Sequence, residues 1–382
     1  MQRRSFLAAS AAAAALSATD TLAKTTPAAK APMNPMLALW TGPHGGYPPF
    51  DKVKVADFQP AMERAMDMGR TEVARIAANP AKPTFANTIA ALEDSGRALN
   101  RAASIYNVYG STMDDKPMQA VEQAMEPKLA AYGDEIVQNA ALFARVKAVY
   151  DARETSGLTP EQKRLTWVTY RNFARQGAAL NKDQKTRLAA INQRLASLYT
   201  TVSQNELADE ENWSLTLENE ADLAGLPDWL KTSAAGAAKE KNLAGKWLIT
   251  NTRSSMEPFL VYSTRRDLRE KGFRMWTLRG DNGDAHDNNA IITEILQLRA
   301  EKAKLLGFPT HAHWITDNQM AGTPDAAMDL MLKVWAPAKA RVAEEVADMQ
   351  KIADAEGAGI KIAPWDYRHY AEKVRKAKYD LD

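Results

Sequence analysis

The chain has 382 residues, with 49 basic and 47 acidic side chains, five histidines and no cysteine. A net charge of +2 and 45% hydrophobic residues describe a folded chain of two or three domains, with no basic field for nucleic acid or for an acidic membrane surface. The missing cysteines exclude a disulfide framework, a thiolate zinc site, an iron–sulfur cluster and a cysteine nucleophile.

Residues 1–23 read as an export signal. Arg3 and Arg4 precede an uncharged run from Ser5 to Thr19, and Thr21 and Ala23 suit cleavage before Lys24. The run is shorter than the roughly 20 apolar residues a bilayer core demands. The paired arginines, with Ser5, Phe6 and Leu7 behind them, resemble the twin-arginine type. The expected destination is the periplasm, with no membrane attachment once the signal is removed. Residues 24–50 are rich in Pro, Gly and Ala and read as a tether and irregular lead-in.

From Asp51 the pattern is helical. Thr84 caps a predicted helix that buries Phe85, Ile89 and Leu92. A single long helix is predicted from about Lys116 to Tyr150, with Val121, Met125, Leu129 and Tyr132 on one side. Thr159-Pro160-Glu161-Gln162 and the Asn181/Gln184 pair are helix starts of the capping-box kind. The second opens a helix with the buried stripe Leu188, Ile191, Leu195, Leu198 and Val202. Trp213, Leu215 and Leu217 then alternate with polar residues, and Lys246–Thr250 is a second β-forming run. Helical spacing returns over Pro258–Arg279 and Asn288–Leu306. It continues from Thr323 through an expected kink at Pro337 to Gly357, burying Val342, Val346, Met349 and Ile352, and resumes from Tyr367. No repeat period is visible. The reading is a mainly α protein with a small β insert. Its units are a signal (1–23), a lead-in (24–50), an N-terminal helical domain (51–210), a β-containing insert (211–252) and a further helical block (253–382).

No constellation of catalytic residues emerges. A zinc peptidase needs two histidines on one helical turn with a glutamate beside the first. Four residues after His44, His286, His311, His313 and His369 stand Pro48, Ala290, Ile315, Asp317 and Lys373, and no histidine is followed by Glu. His311 and His313 are spaced for a strand, not a helix, and read as surface residues. Asp281-Asn282-Gly283-Asp284 resembles part of a calcium loop, but Ile292 stands at the twelfth position, so a polar interhelical turn is expected. Phosphate-binding and nucleophile-elbow motifs are missing. Arg265, Arg266, Arg269 and Lys271 read as a solvated basic face paired with Asp267 and Glu270, and Trp335, Trp365, Tyr367 and Tyr370 as core. No catalytic, cofactor-binding or metal-ligating residue is assigned.

Six stretches nevertheless resemble one family: Asn34–Met62, Asn79–Gly96, Asn139–Leu158, Lys246–Leu260, Ala290–Pro324 and Pro364–Asp382. They are similar to the M3 family of zinc peptidases, which holds peptidyl-dipeptidases, oligopeptidase A, thimet oligopeptidase and neurolysin. The Trp40–Pro43 lead-in and the Pro364-Trp365-Asp366 segment favour the peptidyl-dipeptidase branch. The resemblance implies a bilobed helical architecture with a deep channel, short peptide substrates and release of C-terminal dipeptides. It also implies a zinc ion held by His-Glu-x-x-His and a later Glu, with the motif Glu as base for a zinc-activated water. In relatives that motif follows the segment matching Pro364–Asp382, so no ligand or base carries over to this sequence. The expectation is therefore a fragment, inactive alone, whose uncovered helix faces promote aggregation or dimerisation. Alternatives are one half of a split peptidase completed by a separate C-terminal catalytic half, a non-catalytic peptide-binding or scaffold protein, and an oligopeptidase A-like endopeptidase.

Overall fold

A computed structural model describes residues 34–379. The predicted signal and the start of the lead-in lie outside the described residues. The fold is mainly α, with one two-stranded antiparallel sheet. Among the described residues no helix is long and apolar enough to cross a membrane.

The lead-in makes short 3-10 turns and delivers Met36 into the first core. Helix α1 (Val55–Ala77) follows. A π-helical segment, Phe85–Ala90, runs into the short α2 (Ala91–Glu93), and then come α3 (Arg97–Thr112) and α4 (Lys116–Val137). Phe58, Met62, Ile105, Tyr106, Met118 and Met125 fill the space between α1, α3 and α4. Close approach of α1 and α4 depends on Gly69, where an added Cβ would fall 2.0 Å from the Tyr132 hydroxyl.

The helix predicted over 116–150 is in fact two. The Asn139 side chain accepts from the Leu142 amide and starts α5 (Ala140–Asp151). An N-cap oxygen satisfies an orphan amide that a continuous helix would have bonded itself, so the break costs little. In α5 the guanidinium of Arg145 is buried. It donates to the Asn79 and Ala81 carbonyls and to the Asn87 and Thr88 side chains at 2.7–3.2 Å, holding the 79–88 segment in shape. Thr84 caps as predicted, accepting from the Asn87 amide, although the turn it opens is π-helical.

Helices α6 (Pro160–Arg175) and α7 (Lys182–Asn212) start with the predicted capping boxes. Thr159 and Gln162 exchange bonds at 3.1 and 3.3 Å, and Asn181 and Gln184 at 3.2 and 2.9 Å. The stripe Leu188, Ile191, Leu195 and Leu198 is buried, and Val202 is partly so. Strand β1 (Ser214–Leu217) pairs with β2 (Trp247–Thr250), Ser214 opposite Thr250 and Leu217 opposite Trp247. Between them lies α8 (Asp228–Glu240), a helix that Gly225, Pro227 and Gly236 hid in the sequence. It buries Leu230, Ala234 and Ala238 at four-residue spacing against the sheet and the helices that follow.

The run predicted over 258–279 divides into α9 (Arg253–Tyr262) and α10 (Arg266–Thr277). The break lies at Ser263–Arg265, where the chain turns extended and the Thr264 amide bonds the Ala224 carbonyl. Helix α11 (Asn289–Leu305) packs along α7, with bidentate Arg187–Glu301 and Arg194–Glu294 pairs on the rim. After the short α12 (His311–Thr316) comes α13 (Pro324–Ala355), capped by Thr323 and helical through Pro337. It ends at Gly357, whose φ of +68° is the left-handed conformation expected of a helix stop. Helix α14 (Tyr367–Tyr379) packs on the second half of α13 through Met349, Ala353 and Tyr370. The first half of α13 has almost no cover. Val342 and Trp335, both predicted as core, are exposed, Trp335 at 61%.

Candidate functional site

An open cleft of about 850 Å³ lies where α7, α8, α9 and α14 meet. Trp229 and Tyr262 form one wall, with their rings edge to face at 6.3 Å. The charged groups of the cleft are matched within the chain. Arg253 and Arg368 both bond Glu257, at 2.9 and 3.2 Å, Arg279 bonds Glu210 at 2.7 Å, and Arg375 bonds Glu372. Two exposed aromatic faces beside ion pairs can hold an extended peptide. They offer no nucleophile.

The segment between α13 and α14 is locked to α10 by a buried carboxylate. Asp366 is fully buried. It accepts from Arg266 Nε and Nη2 at 2.9–3.1 Å, from Arg269 Nη2 at 2.8 Å and from the Ala363 amide at 3.1 Å. Burial alone would raise this carboxyl, but the hydrogen bonds from Arg266 and Arg269 outweigh it and hold the group below its ordinary value. Arg269 is only 2% exposed and also donates to the Ser263 carbonyl at 2.7 Å. The basic cluster is thus only in part the solvated face that the sequence suggests: Lys271 is exposed and Arg265 pairs with Asp267 as expected, but Arg269 is buried and Arg266 is turned to the same buried carboxylate. Arg265 pairs with Asp222 and Asp267, Arg266 and Arg269 are committed to Asp366, and Arg274 takes Glu270. The signal for this was available in the Pro364-Trp365-Asp366 segment. What periodicity could not give was the partner.

His369, one turn into α14, is buried, and its Nδ1–H donates to the Val261 carbonyl at 2.8 Å. Burial pushes its pKa down to about 4, so the ring is neutral near pH 7. His311 and His313 sit on α12. His313 Nδ1 bonds Thr310 at 2.8 Å, and His311 lies against Trp314.

The catalytic zinc that the resemblance implies does not fit these residues. Among the described residues, the group of His, Asp and Glu close enough to hold a metal is Asp209, Asp284 and His286. Those three lie on α7 and on the turn between α10 and α11, not on one helical face, and no glutamate stands beside His286 as a base. Asp281-Asn282-Gly283-Asp284 is the polar turn expected. It is tied by Asn289 to Asp281 at 2.6 Å and by the Gly283 amide to Asp287 at 3.0 Å.

Residues 259–382 match the model of peptidase family M3. Over 350 residues the chain is 37% identical to a dipeptidyl carboxypeptidase of Escherichia coli, covering 92% of this chain and 51% of that protein. It is 29% identical over 353 residues to oligopeptidase A of Haemophilus influenzae, covering 91% of this chain and 51% of the relative. To oligopeptidase A of Escherichia coli it is 28% identical over 338 residues, covering 87% and 50%. The chain spans about half the length of the curated relatives it matches.

Proposed function

Because the chain belongs to peptidase family M3, we propose that it forms half of an exported zinc peptidyl-dipeptidase that removes dipeptides from the C-terminal end of short, unstructured peptides. The 37% identity to a dipeptidyl carboxypeptidase, against 29% to an oligopeptidase A, favours dipeptide release over internal cleavage. The paired Arg3 and Arg4 support export to the periplasm. No His-Glu-x-x-His occurs in the 382 residues, so zinc ligands and base must come from sequence outside them, and the chain alone is inactive. Its own contribution is positioning. The Asp366 pairs hold α14 on α10, and the Trp229–Tyr262 wall supports one side of the peptide path.

The observation that carries the two-half reading is α13. Met328, Leu330, Met331, Leu332, Val334 and Trp335 are all exposed on it, and together they occupy more than one face. A helix apolar on several sides belongs inside a protein. A catalytic half packed around α13 would satisfy it.

The test is hydrolysis of a short N-terminally blocked peptide, with products read by mass spectrometry. The chain alone, given zinc, should release nothing. Addition of a chain carrying the His-Glu-x-x-His half should restore dipeptide release. Dipeptides from the chain alone would sink the proposal, and internal fragments from the pair would move the activity to an endopeptidase. The open aromatic cleft favours a second reading, peptide binding by this chain unaided. Calorimetry with the same peptide decides it, and a Trp229→Ala variant should abolish any binding seen.

A further inference from the structure

The turn between α10 and α11 is held against α7 by an unusually one-sided carboxylate. Asp209 is fully buried near the end of α7. Its Oδ2 accepts from the Gly280 amide and from Asn282 Nδ2, both at 2.8 Å. Its Oδ1 has no hydrogen-bond partner. A carboxylate oxygen shut away from water with nothing donating to it is left with its desolvation uncompensated. The nearest cationic candidate is His286 Nδ1, at 3.8 Å, too far for a hydrogen bond. Arg279, on the same turn, is committed to Glu210 at 2.7 Å.

Asp284 completes the picture. One ligand atom from each of Asp209, Asp284 and His286 lies within 4.8 Å of the other two. Ligand atoms around an ion at about 2.1 Å stand roughly 3–4 Å apart, so a modest closure brings these three to bonding distance. Asp284 is exposed, and its Oδ1 accepts from the His286 amide at 2.8 Å, which keeps the two candidate ligands side by side and leaves Oδ2 of Asp284 for an ion. The surrounding turn is rigid. Asn288 donates to the Val202 carbonyl and accepts from Asn205, and its amide bonds the Gly280 carbonyl at 2.7 Å.

We infer that Asp209, Asp284 and His286 bind one divalent transition-metal ion of the zinc type, as a structural clamp between α7 and the turn at 280–288. Two carboxylates and one neutral imidazole balance a dipositive ion. The imidazole nitrogen selects zinc over calcium or magnesium, which take oxygen ligands. The buried, partnerless Oδ1 is the fixed ligand, and the other two close on it from the solvent side. This clamp is separate from any catalytic zinc, because it has no adjacent base and sits within a helix-packing joint. It stands or falls independently of the peptidase proposal.

The test uses the untagged 382-residue chain, stripped of metal, with zinc alone as titrant and calcium as control. Calorimetry should give one zinc per chain, and the melting temperature should climb with the logarithm of free zinc. Calcium should do neither. His286→Gln and Asp284→Asn, both on the solvent side, should each weaken zinc binding about tenfold or more while leaving the metal-free melt unchanged. Retention of the same stoichiometry and affinity by both variants would overturn the inference, as would the lack of any zinc-dependent shift in the wild type or an equal shift with calcium.

Discussion

Replacing Asp366 by alanine should destabilise the junction of α10 and α14 more than any other single change in this region. The carboxylate is fully buried and is the common acceptor for Arg266, Arg269 and the Ala363 amide. Arg266 is partly solvated and can find water. Arg269 cannot, because its side chain is 2% exposed. Its remaining bonds are to the Ser263 carbonyl at 2.7 Å and the Trp365 carbonyl at 3.3 Å, which orient the guanidinium without neutralising it. Removing one partner of a buried pair leaves an uncompensated charge and costs about 3–5 kcal/mol. The effect should be local before it is global, since α14 depends on this contact while α1–α7 do not. Urea unfolding followed by two probes, with amide exchange mapped along the chain, checks both parts. Exchange should rise first over 263–269 and 363–379. The double variant Asp366→Leu with Arg269→Met should recover much of the loss, because it removes both charges. A destabilisation below about 1 kcal/mol for Asp366→Ala, or faster exchange confined to α1–α4, would refute the account of this pair.

Three further outcomes follow from the same structure. His369 has its pKa depressed by burial, to about 4. Its contribution to stability is thus whole above the unfolded value near 6.5 and is lost as pH falls from there toward 4, by at most about 3 kcal/mol. Glu122 is raised to about 7 by burial and by Asp114, and it acts in the opposite sense, losing stability as pH rises from about 4.5 to 7. The two partly cancel, so the measurement is the difference in urea midpoint between wild type and His369→Gln, which should shrink as pH drops from 7 to 5. Equal pH profiles for the two proteins would remove His369 from the list of titrating groups. Gly225 has φ +84°, and a Cβ there would stand 2.4 Å from the Tyr262 carbonyl oxygen, so Gly225→Ala should lower the melting temperature clearly, whereas Gly157→Ala, equally left-handed but in open space, should cost only the backbone strain of about 1–2 kcal/mol. Exposed α13 should make the isolated chain self-associate in sedimentation; replacing Leu332 and Trp335 with Gln should reduce association without lowering the melting temperature, and a wild-type chain that stays monomeric would count against the uncovered-face reading.

Local chemistry was legible in the residues and distant chemistry was not. The caps at Thr84, Thr159, Asn181 and Thr323 act within three residues, and each forms the bond its sequence promises. The stripe on α7 and the alternation at 214–217 are equally local, and both are found. Asn139 was the exception among caps, because it lies inside an unbroken apolar pattern that a continuous helix explains as well. The buried polar joints depend on partners far away in the chain. Arg269 meets Asp366 across 97 residues, Arg145 meets Asn79 across 66, and Gly280 meets Asp209 across 71. A charged residue on a helix looks solvated until its partner is known, which is why the burial of Arg269 is not legible in the residues at 265–271 while the exposed Lys271 and the local Arg265–Asp267 pair are.

On α13 the difference between pattern and burial has the opposite cause. Hydrophobic periodicity records the environment a position requires, not the one present in a given set of residues. Val342 and Trp335 carry the pattern of core residues and are exposed; Met349 and Ala353, on the same helix, carry it and are buried against α14. One helix therefore has its requirement met over its last three turns, from about residue 345, and unmet before them. Ordinary surface tolerates single exposed apolar side chains, but six within the eight residues from Met328 to Trp335 are not that pattern. Similarity to M3 relatives continues through this helix, and the chain spans about half the length of those relatives, which is what the two-half proposal rests on. The same reasoning separates α13 from the Trp229–Tyr262 cleft. There the exposed aromatics are two, they meet edge to face on one wall of an open cleft, and the charges around them are already paired, whereas the exposed apolar side chains of α13 are six and occupy more than one face of the helix.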